Sequence, residues 1–225
     1  MHHGNRLLAA LPGTVQRKLA RALEPVTLTA GEVLVESGMP VAHVYFPLDC
    51  VVSLLTVADG RIALEVALVG CESMVGVTVA LGLGDSPVRA LVQGPGEALR
   101  MKAEPFRRAF DESPALHRAV HLCAVSLLDQ VTRTAACNRF HVVESRLARS
   151  LLMTRDRLAS SSFHLTHEFL AQLLGVRRAG ITTAAHSLKS RGLIEYSRGQ
   201  ISIVDGRGLE AASCSCYERP AGRRR

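Results

Sequence analysis

Tryptophan is absent from the 225 residues, and aromatic side chains make up only 4% of them. A protein that holds single strands by stacking bases needs an aromatic platform, so this scarcity argues against that mode. No run of about 18 uncharged apolar residues occurs, which excludes a membrane-spanning helix. The opening stretch MHHGNRLLAALPGTV is short of the apolar core of a secretory signal, and the expected compartment is the cytoplasm. In that compartment the six cysteines are expected as thiols, not as a disulfide framework. No Ser/His/Asp arrangement, no metal-ligand spacing and no Gly-rich phosphate loop ahead of a helix is visible. Neither an enzyme nor a metal centre is expected on that basis.

What is present is apolar material, 48% of the chain, enough for one large or two small cores. The formal charge of +7 is unevenly placed. From Asn138 onward there are 15 Lys and Arg against 7 Asp and Glu; of the totals of 27 and 20, this leaves 12 against 13 in residues 1–137. A near-neutral module followed by a basic one suits a sensor joined to a nucleic-acid binder.

The basic half contains the most informative stretch, LTHEFLAQLLGVRRAGITTAAHSLKSRGLIEYSRGQISIV, from Leu165 to Val204. Thr166 stands as an N-cap, with Phe169, Leu170, Leu173 and Leu174 at helical spacing after it. Gly175 then supplies the turn between two crossing helices. A second helix is predicted from about Arg177 to Arg191, with Ile181, Ala184, Ala185 and Leu188 inward. Its outward residues are Arg177, Arg178, Thr182, Thr183, His186 and Lys189, with no acid among them. Gly192 ends it, and two strands follow, Leu193–Tyr196 and Gln200–Val204, joined by Arg198-Gly199. Helix, turn, helix and β-hairpin make a winged helix-turn-helix, whose second helix enters the major groove of double-stranded DNA. Arginines at the start of that helix can meet a guanine edge bidentately, whereas Thr166, His167, His186, Lys189 and Arg198 suit phosphates.

Before this stretch the chain reads as a short helical lead-in (residues 7–22, broken at Pro12-Gly13) and then many short strands. Strands are expected over residues 26–29, 32–36, 43–46, 51–57, 62–68, 89–93 and 97–102, separated by Gly31, Gly38, Asp59-Gly60 and Gly70. Such spacing predicts a small sandwich or barrel, so the fold class is α+β. A long helix should run from Ser113-Pro114 to about Asn138. Leu116, Val120, Cys123, Leu127 and Val131 form a nearly heptad seam on it, the expected dimer interface. A hinge is expected at residues 138–141 and a further helix over 142–158, packing Leu147, Leu151 and Leu152 under the helix-turn-helix. The predicted domains are 1–112, 113–138 and 139–225, with a short helix at 208–212 and a disordered end after it.

This order of parts, and above all Thr166, Leu170, Leu173-Leu174-Gly175-Val176-Arg177-Arg178, Ile181, Leu188 and Gly192-Leu193-Ile194, resembles the Crp/Fnr family of bacterial transcription regulators. The resemblance implies a cyclic-nucleotide-binding-like β-roll (a double-stranded β-helix), a dimerisation helix and a homodimer on a palindromic promoter site, acting on RNA polymerase. Arg178 corresponds to the family's guanine-reading arginine. Ala179 and Thr183 replace its usual Glu and Arg, so the half-site is expected to differ.

In the sensor half Gly76 matches the cyclic-nucleotide cassette, but Val77 stands in place of its carboxylate. The phosphate-binding arginine falls on Pro87 or Val88, with Arg89 close by. A cyclic phosphate would lack its charge-assisted fork there, so the effector domain is expected to be degenerate and its small-molecule effector is unknown. The alternatives are a true cyclic-nucleotide-responsive regulator and a nonspecific architectural DNA binder.

The family's iron–sulfur branch needs an N-terminal cysteine cluster, and no cysteine precedes Cys50. Cys50 and Cys71 lie where a reactive thiol is conceivable, and Cys123 suits packing. Cys214 and Cys216 are too close for an ordinary bridge and lack recognisable partners for a metal. Haem would need an axial ligand such as His43, His2 or a cysteine.

Overall fold

The computed structural model describes residues 4–58 and 61–217. His2, the Asp59-Gly60 turn and residues 218–225 of the tail lie outside them. Helices α1 (Arg6–Ala9) and α2 (Gly13–Ala20) lead into seven strands. These are β1 (Glu24–Leu28), β2 (Val33–Val35), β3 (His43–Pro47), β4 (Val51–Ala58), β5 (Arg61–Val69), β6 (Arg89–Gly94) and β7 (Gly96–Lys102). They form two antiparallel sheets, β1-β7-β3 and β2-β6-β4-β5. Pro95 separates β6 from β7, so the chain changes sheets where a missing N–H costs no ladder bond. Alternate residues point between the sheets, and Val44, Phe46, Val52, Met74, Ala90 and Leu99 fill the interior at 0–1% exposure.

Helix α3 (Ala103–Asp111) brings Phe106 against Phe46, and α4 (Pro114–Phe140) follows. Ser113 caps α4 by accepting from the Leu116 N–H at 3.2 Å, and Pro114 opens it with its φ already set. The helix runs two residues past the expected end, for 27 residues and about 40 Å.

Its apolar seam is not the free face. Leu116, Val120, Cys123 and Leu127 are 0–9% exposed and belong to the core of the chain's own β-roll. These four therefore cannot form a dimer interface, and of the predicted seam only Val131, at 39%, faces outward. The exposed stripe lies on another side of α4, at Leu122, Val125 and Leu128, each about two-thirds exposed.

The C-terminal part contains α5 (Val143–Leu158), β8 (Ser162–His164), α6 (His167–Leu174), α7 (Arg178–Ser190), β9 (Ile194–Ser197), β10 (Gln200–Ile203) and α8 (Gly206–Ala212). Leu147, Leu151 and Leu152 are fully buried under the helix-turn-helix. Strand β8 is not among the expected strands; it pairs Phe163 with Ile201 and makes the wing three-stranded, β8-β10-β9. Leu55 and Leu91 of the roll join the same hydrophobic cluster as this domain's core, so the two halves are docked. Gln93 extends the contact by donating to the Thr154 hydroxyl at 2.9 Å.

Candidate nucleic-acid interface

Helix α6 is closed at both ends by backbone chemistry the sequence dictates. The Thr166 hydroxyl accepts from the Phe169 N–H at 3.1 Å. At the other end Gly175 takes φ +61°, which an L side chain resists. The Gly175 N–H then reaches the Gln172 carbonyl and the Val176 N–H the Ala171 carbonyl, the paired bonds of a Schellman closure. Arg146 of α5 donates to the Leu174 carbonyl and fixes this end from below.

Helix α7 starts directly after the turn, with Arg177 as its extended N-cap residue and no side-chain cap. Ile181, Ala184, Ala185 and Leu188 are buried beneath it. Arg177, Arg178, Ala179, Thr182, Thr183, His186 and Lys189 are exposed. Two guanidinium groups thus stand at the positive end of a helix dipole, where unsatisfied N–H groups also favour an anion.

The surface is less uniform than its helix. Glu168 of α6 comes within 4.0 Å of Arg178, and Glu195 of β9 pairs with Lys189 at 3.0 Å. Both pairs are solvent-exposed and open readily, so they orient the cations more than they hold them. Neither acid is visible from the recognition helix alone, because each reaches the face from another element.

Two residues expected to touch DNA are used internally. The His167 ring stacks on Tyr196, centroids 4.1 Å apart and planes within 15°. Its Nδ1 lies 3.2 Å from the Thr182 hydroxyl, which itself lies 3.2 Å from the Arg178 carbonyl. The hydroxyl has one proton; given to the carbonyl, it leaves the imidazole Nδ1–H as donor to Thr182. Burial, and then the Arg178 charge, holds the His167 pKa below its ordinary value. The stacked ring braces α7 against the wing through Thr182 and Tyr196.

Arg198 and Gly199 both have positive φ, +49° and +84°, as the twist of a two-residue type I′ hairpin requires. Glycine suits its position, where a Cβ would lie 2.5 Å from His164 Cε1; arginine does not suit the left-handed region. The wing thereby presents an exposed guanidinium at its tip. Arg198→Asn is expected to raise stability by up to about 1 kcal/mol, since Asn accepts that conformation. It should also weaken DNA binding at low salt. Denaturant unfolding and titration of a labelled duplex check both signs; unchanged affinity would remove Arg198 from the interface.

In the roll, Gly76 opens a 3₁₀ turn, Val77–Val79, packed against Val41 and Val44. Arg89 is bound bidentately to Glu36, Nε–Oε2 2.7 Å and Nη2–Oε1 2.6 Å. Its fork is thus taken by a carboxylate of the same chain. Cys50 is fully buried and pushed up to about 12, chiefly by burial, so it is no reactive thiol. Cys123 packs at the foot of α4 beside the Ser73 hydroxyl, and His43 lies on β3 beside Tyr45.

Residues 145–212 match the family model of the Crp-like helix-turn-helix domain. The whole architecture is shared with solved structures. A CRP-family transcriptional regulator of Thermus thermophilus has 22% identity and a TM-score of 0.71, over 87% of this chain and 100% of that one. The c-di-GMP-responsive global regulator CLP of Xanthomonas campestris has 17% identity and a TM-score of 0.68, over 85% and 99%. FixK2 of Bradyrhizobium japonicum has 16% identity and a TM-score of 0.68, over 86% and 98%. No curated protein sequence matches the chain. The chain carries a Crp-like DNA-binding domain on a Crp/Fnr-type fold. Within the matched domain, α6 and α7 are the two helices of the helix-turn-helix, and β8-β10-β9 is the wing. Among the described residues no helix is long and apolar enough to cross a membrane.

Proposed function

We propose that the protein is a homodimeric, sequence-specific transcription regulator that reads a palindromic site on double-stranded DNA and acts on RNA polymerase in the cytoplasm. The observation that carries this is the pair Arg177 and Arg178, exposed at the start of a recognition helix whose other side is buried. Arg177, Arg178 and Thr183 face the bases in this reading; His186, Lys189 and Arg198 meet phosphates, with Thr166 at the rim. Residues 4–112 are the sensor module, α4 the dimerisation element and residues 143–217 the DNA-binding module. The sensor is degenerate with respect to cyclic nucleotides, because Arg89 already holds Glu36 and apolar side chains fill the roll.

The dimer forms through the outer stripe of α4, Leu122, Val125 and Leu128, with Val131 continuing it. A second copy is the fitting occupant. The stripe's spacing of three suits a helix crossing, and a two-fold axis along it would give the dimer two α7 helices for two half-sites, which lie about 34–36 Å apart on DNA.

Selection of bound duplexes from a random pool tests the function. Enrichment of one inverted repeat supports it; even recovery of all sequences with a steep salt slope would mean nonspecific architectural binding. Leu122→Glu with Leu128→Glu should leave the circular dichroism intact and halve the mass seen by light scattering. An unchanged dimer would move the interface elsewhere. Leu127→Glu should instead unfold the roll, since Leu127 is 9% exposed in its own chain.

A further inference from the structure

The end of α4 and the segment after α8 meet in a cluster that nothing in the DNA-binding reading uses. Cys137 lies in the last turn of α4, and His141 follows one turn later at its C-terminal cap. Cys214 and Cys216 follow α8. Their donor atoms, three sulfurs and an imidazole nitrogen, all lie within 4.8 Å of one another. The Cys137 and Cys214 sulfurs are 3.4 Å apart, and the Cys216 sulfur is 3.6 Å from His141 Nδ1.

The two short separations lie near the edges of a known polyhedron. With Zn–S near 2.3 Å and Zn–N near 2.05 Å, tetrahedral edges are about 3.8 Å between sulfurs and about 3.6 Å from sulfur to nitrogen. A single ion at the centre reaches all four atoms once the widest separations, up to 4.8 Å, close by about 1 Å. A cluster of several irons would hold its thiolates further apart. We propose that Cys137, His141, Cys214 and Cys216 bind one divalent cation of the zinc class, which clamps the DNA-binding domain to the end of the long helix. The sequence pattern alone predicts no metal centre, because these four residues come from two distant segments.

The surroundings suit that occupant. Cys137 is 1% exposed and Cys214 8%, so four protein donors close the site and leave no open coordination position, as in a structural centre. Three thiolates around a dication leave one net negative charge. The Arg149 guanidinium lies beside it, donating Nε to the Cys216 carbonyl at 3.2 Å and Nη2 to Thr134 at 3.4 Å. Such an outer group both orients a ligand and balances its charge.

The position gives the ion a task. Residues 141–142 join α4 to α5, and the proposed ion spans that joint by linking residues 137–141 to 214–216. A loaded site holds the recognition helix at one angle to the dimer axis, and release lets the domain pivot. A Cys137–Cys214 disulfide is the rival, but it would leave His141 and Cys216 converging without reason.

The full chain, expressed with zinc and purified under reductant, should carry one zinc ion per chain by elemental analysis. Cobalt(II) exchanged into it should show the intense visible bands of tetrahedral cobalt and a thiolate charge-transfer band. Cys214→Ser, Cys216→Ser and His141→Ala should each lose the metal, while Cys50→Ser keeps it. The wild-type cobalt spectrum decides the matter even where a variant fails to fold. Absence of stoichiometric zinc and of that spectrum, zinc undiminished in Cys214→Ser/Cys216→Ser, or a Cys137–Cys214 disulfide as the sole form would each overturn the site. Chelation that strips zinc yet leaves DNA affinity unchanged would overturn the clamp. Metal content is read without DNA, so it stands or falls apart from the regulatory function.

Discussion

Arg178→Ala is expected to lower affinity for the selected duplex by about 1–3 kcal/mol and to flatten base preference at one position in each half-site. The magnitude follows from geometry: a bidentate fork on a guanine edge is lost, while the phosphate contacts that position the domain remain. Arg178 is exposed and opposite Glu168 at 4.0 Å, so truncation opens no cavity and leaves no buried charge. Binding to random duplex should consequently change far less than binding to the selected site. Glu168→Gln supplies the complementary test, because removing the acid weakens the guidance of the fork without removing it. That variant should bind random DNA more tightly and discriminate less. Equal losses over all sequences in Arg178→Ala would make the residue a phosphate contact and shift base reading to Arg177 and Thr183.

How much of this is legible in the sequence depends on how far apart the interacting groups lie along the chain. The inward residues of α6 and α7 follow from a period of 3.6 and from Gly175, all within one short stretch, and their burial agrees. Helix α4 is legible as a helix but not in its partners, because it carries two apolar stripes. Periodicity cannot say whether Leu116-Val120-Cys123-Leu127 or Leu122-Val125-Leu128 meets the chain's own roll. Strand β8 is hidden because its single polar–apolar–polar step is too short for a period to register. Glu168 and Glu195 are hidden because the recognition helix is free of acids and its neighbours are not. A hinge beginning at Asn138 separates Cys137 from His141; once the helix continues to Phe140, the i, i+4 pair stands at one end of it.

The docked surface between roll and DNA-binding domain hides a carboxylate, and its removal should be visible in the stability curve. Glu65 of β5 is enclosed there, with Oε2 buried and without a hydrogen-bond partner. Burial raises its pKa to about 7, against the smaller lowering by the Ser53 hydroxyl and the charges of Arg149 and Arg157. In the unfolded chain the same group titrates near 4.5. Between those values the unfolded state has released a proton that the folded state keeps, so stability falls as pH rises. The contribution is intact below about 4.5 and is lost by about pH 8, a span worth about 3 kcal/mol. His167 acts in the opposite sense and in a lower window: its depressed pKa costs stability as pH falls below about 6.5. Glu65→Gln keeps the shape and removes the proton, so it should abolish the alkaline decline and stabilise the chain at about pH 8 by up to about 3 kcal/mol. At about pH 5 it should change little. Urea unfolding at the two pH values measures this directly, and a decline that persists in Glu65→Gln would place its origin in another group. Because Ser53 and Gln93 belong to the same polar contact, ionising Glu65 loads the seam that holds the two domains together. The same variant should therefore also remove any pH dependence of DNA affinity between about 6 and 8 that arises from loosening this seam.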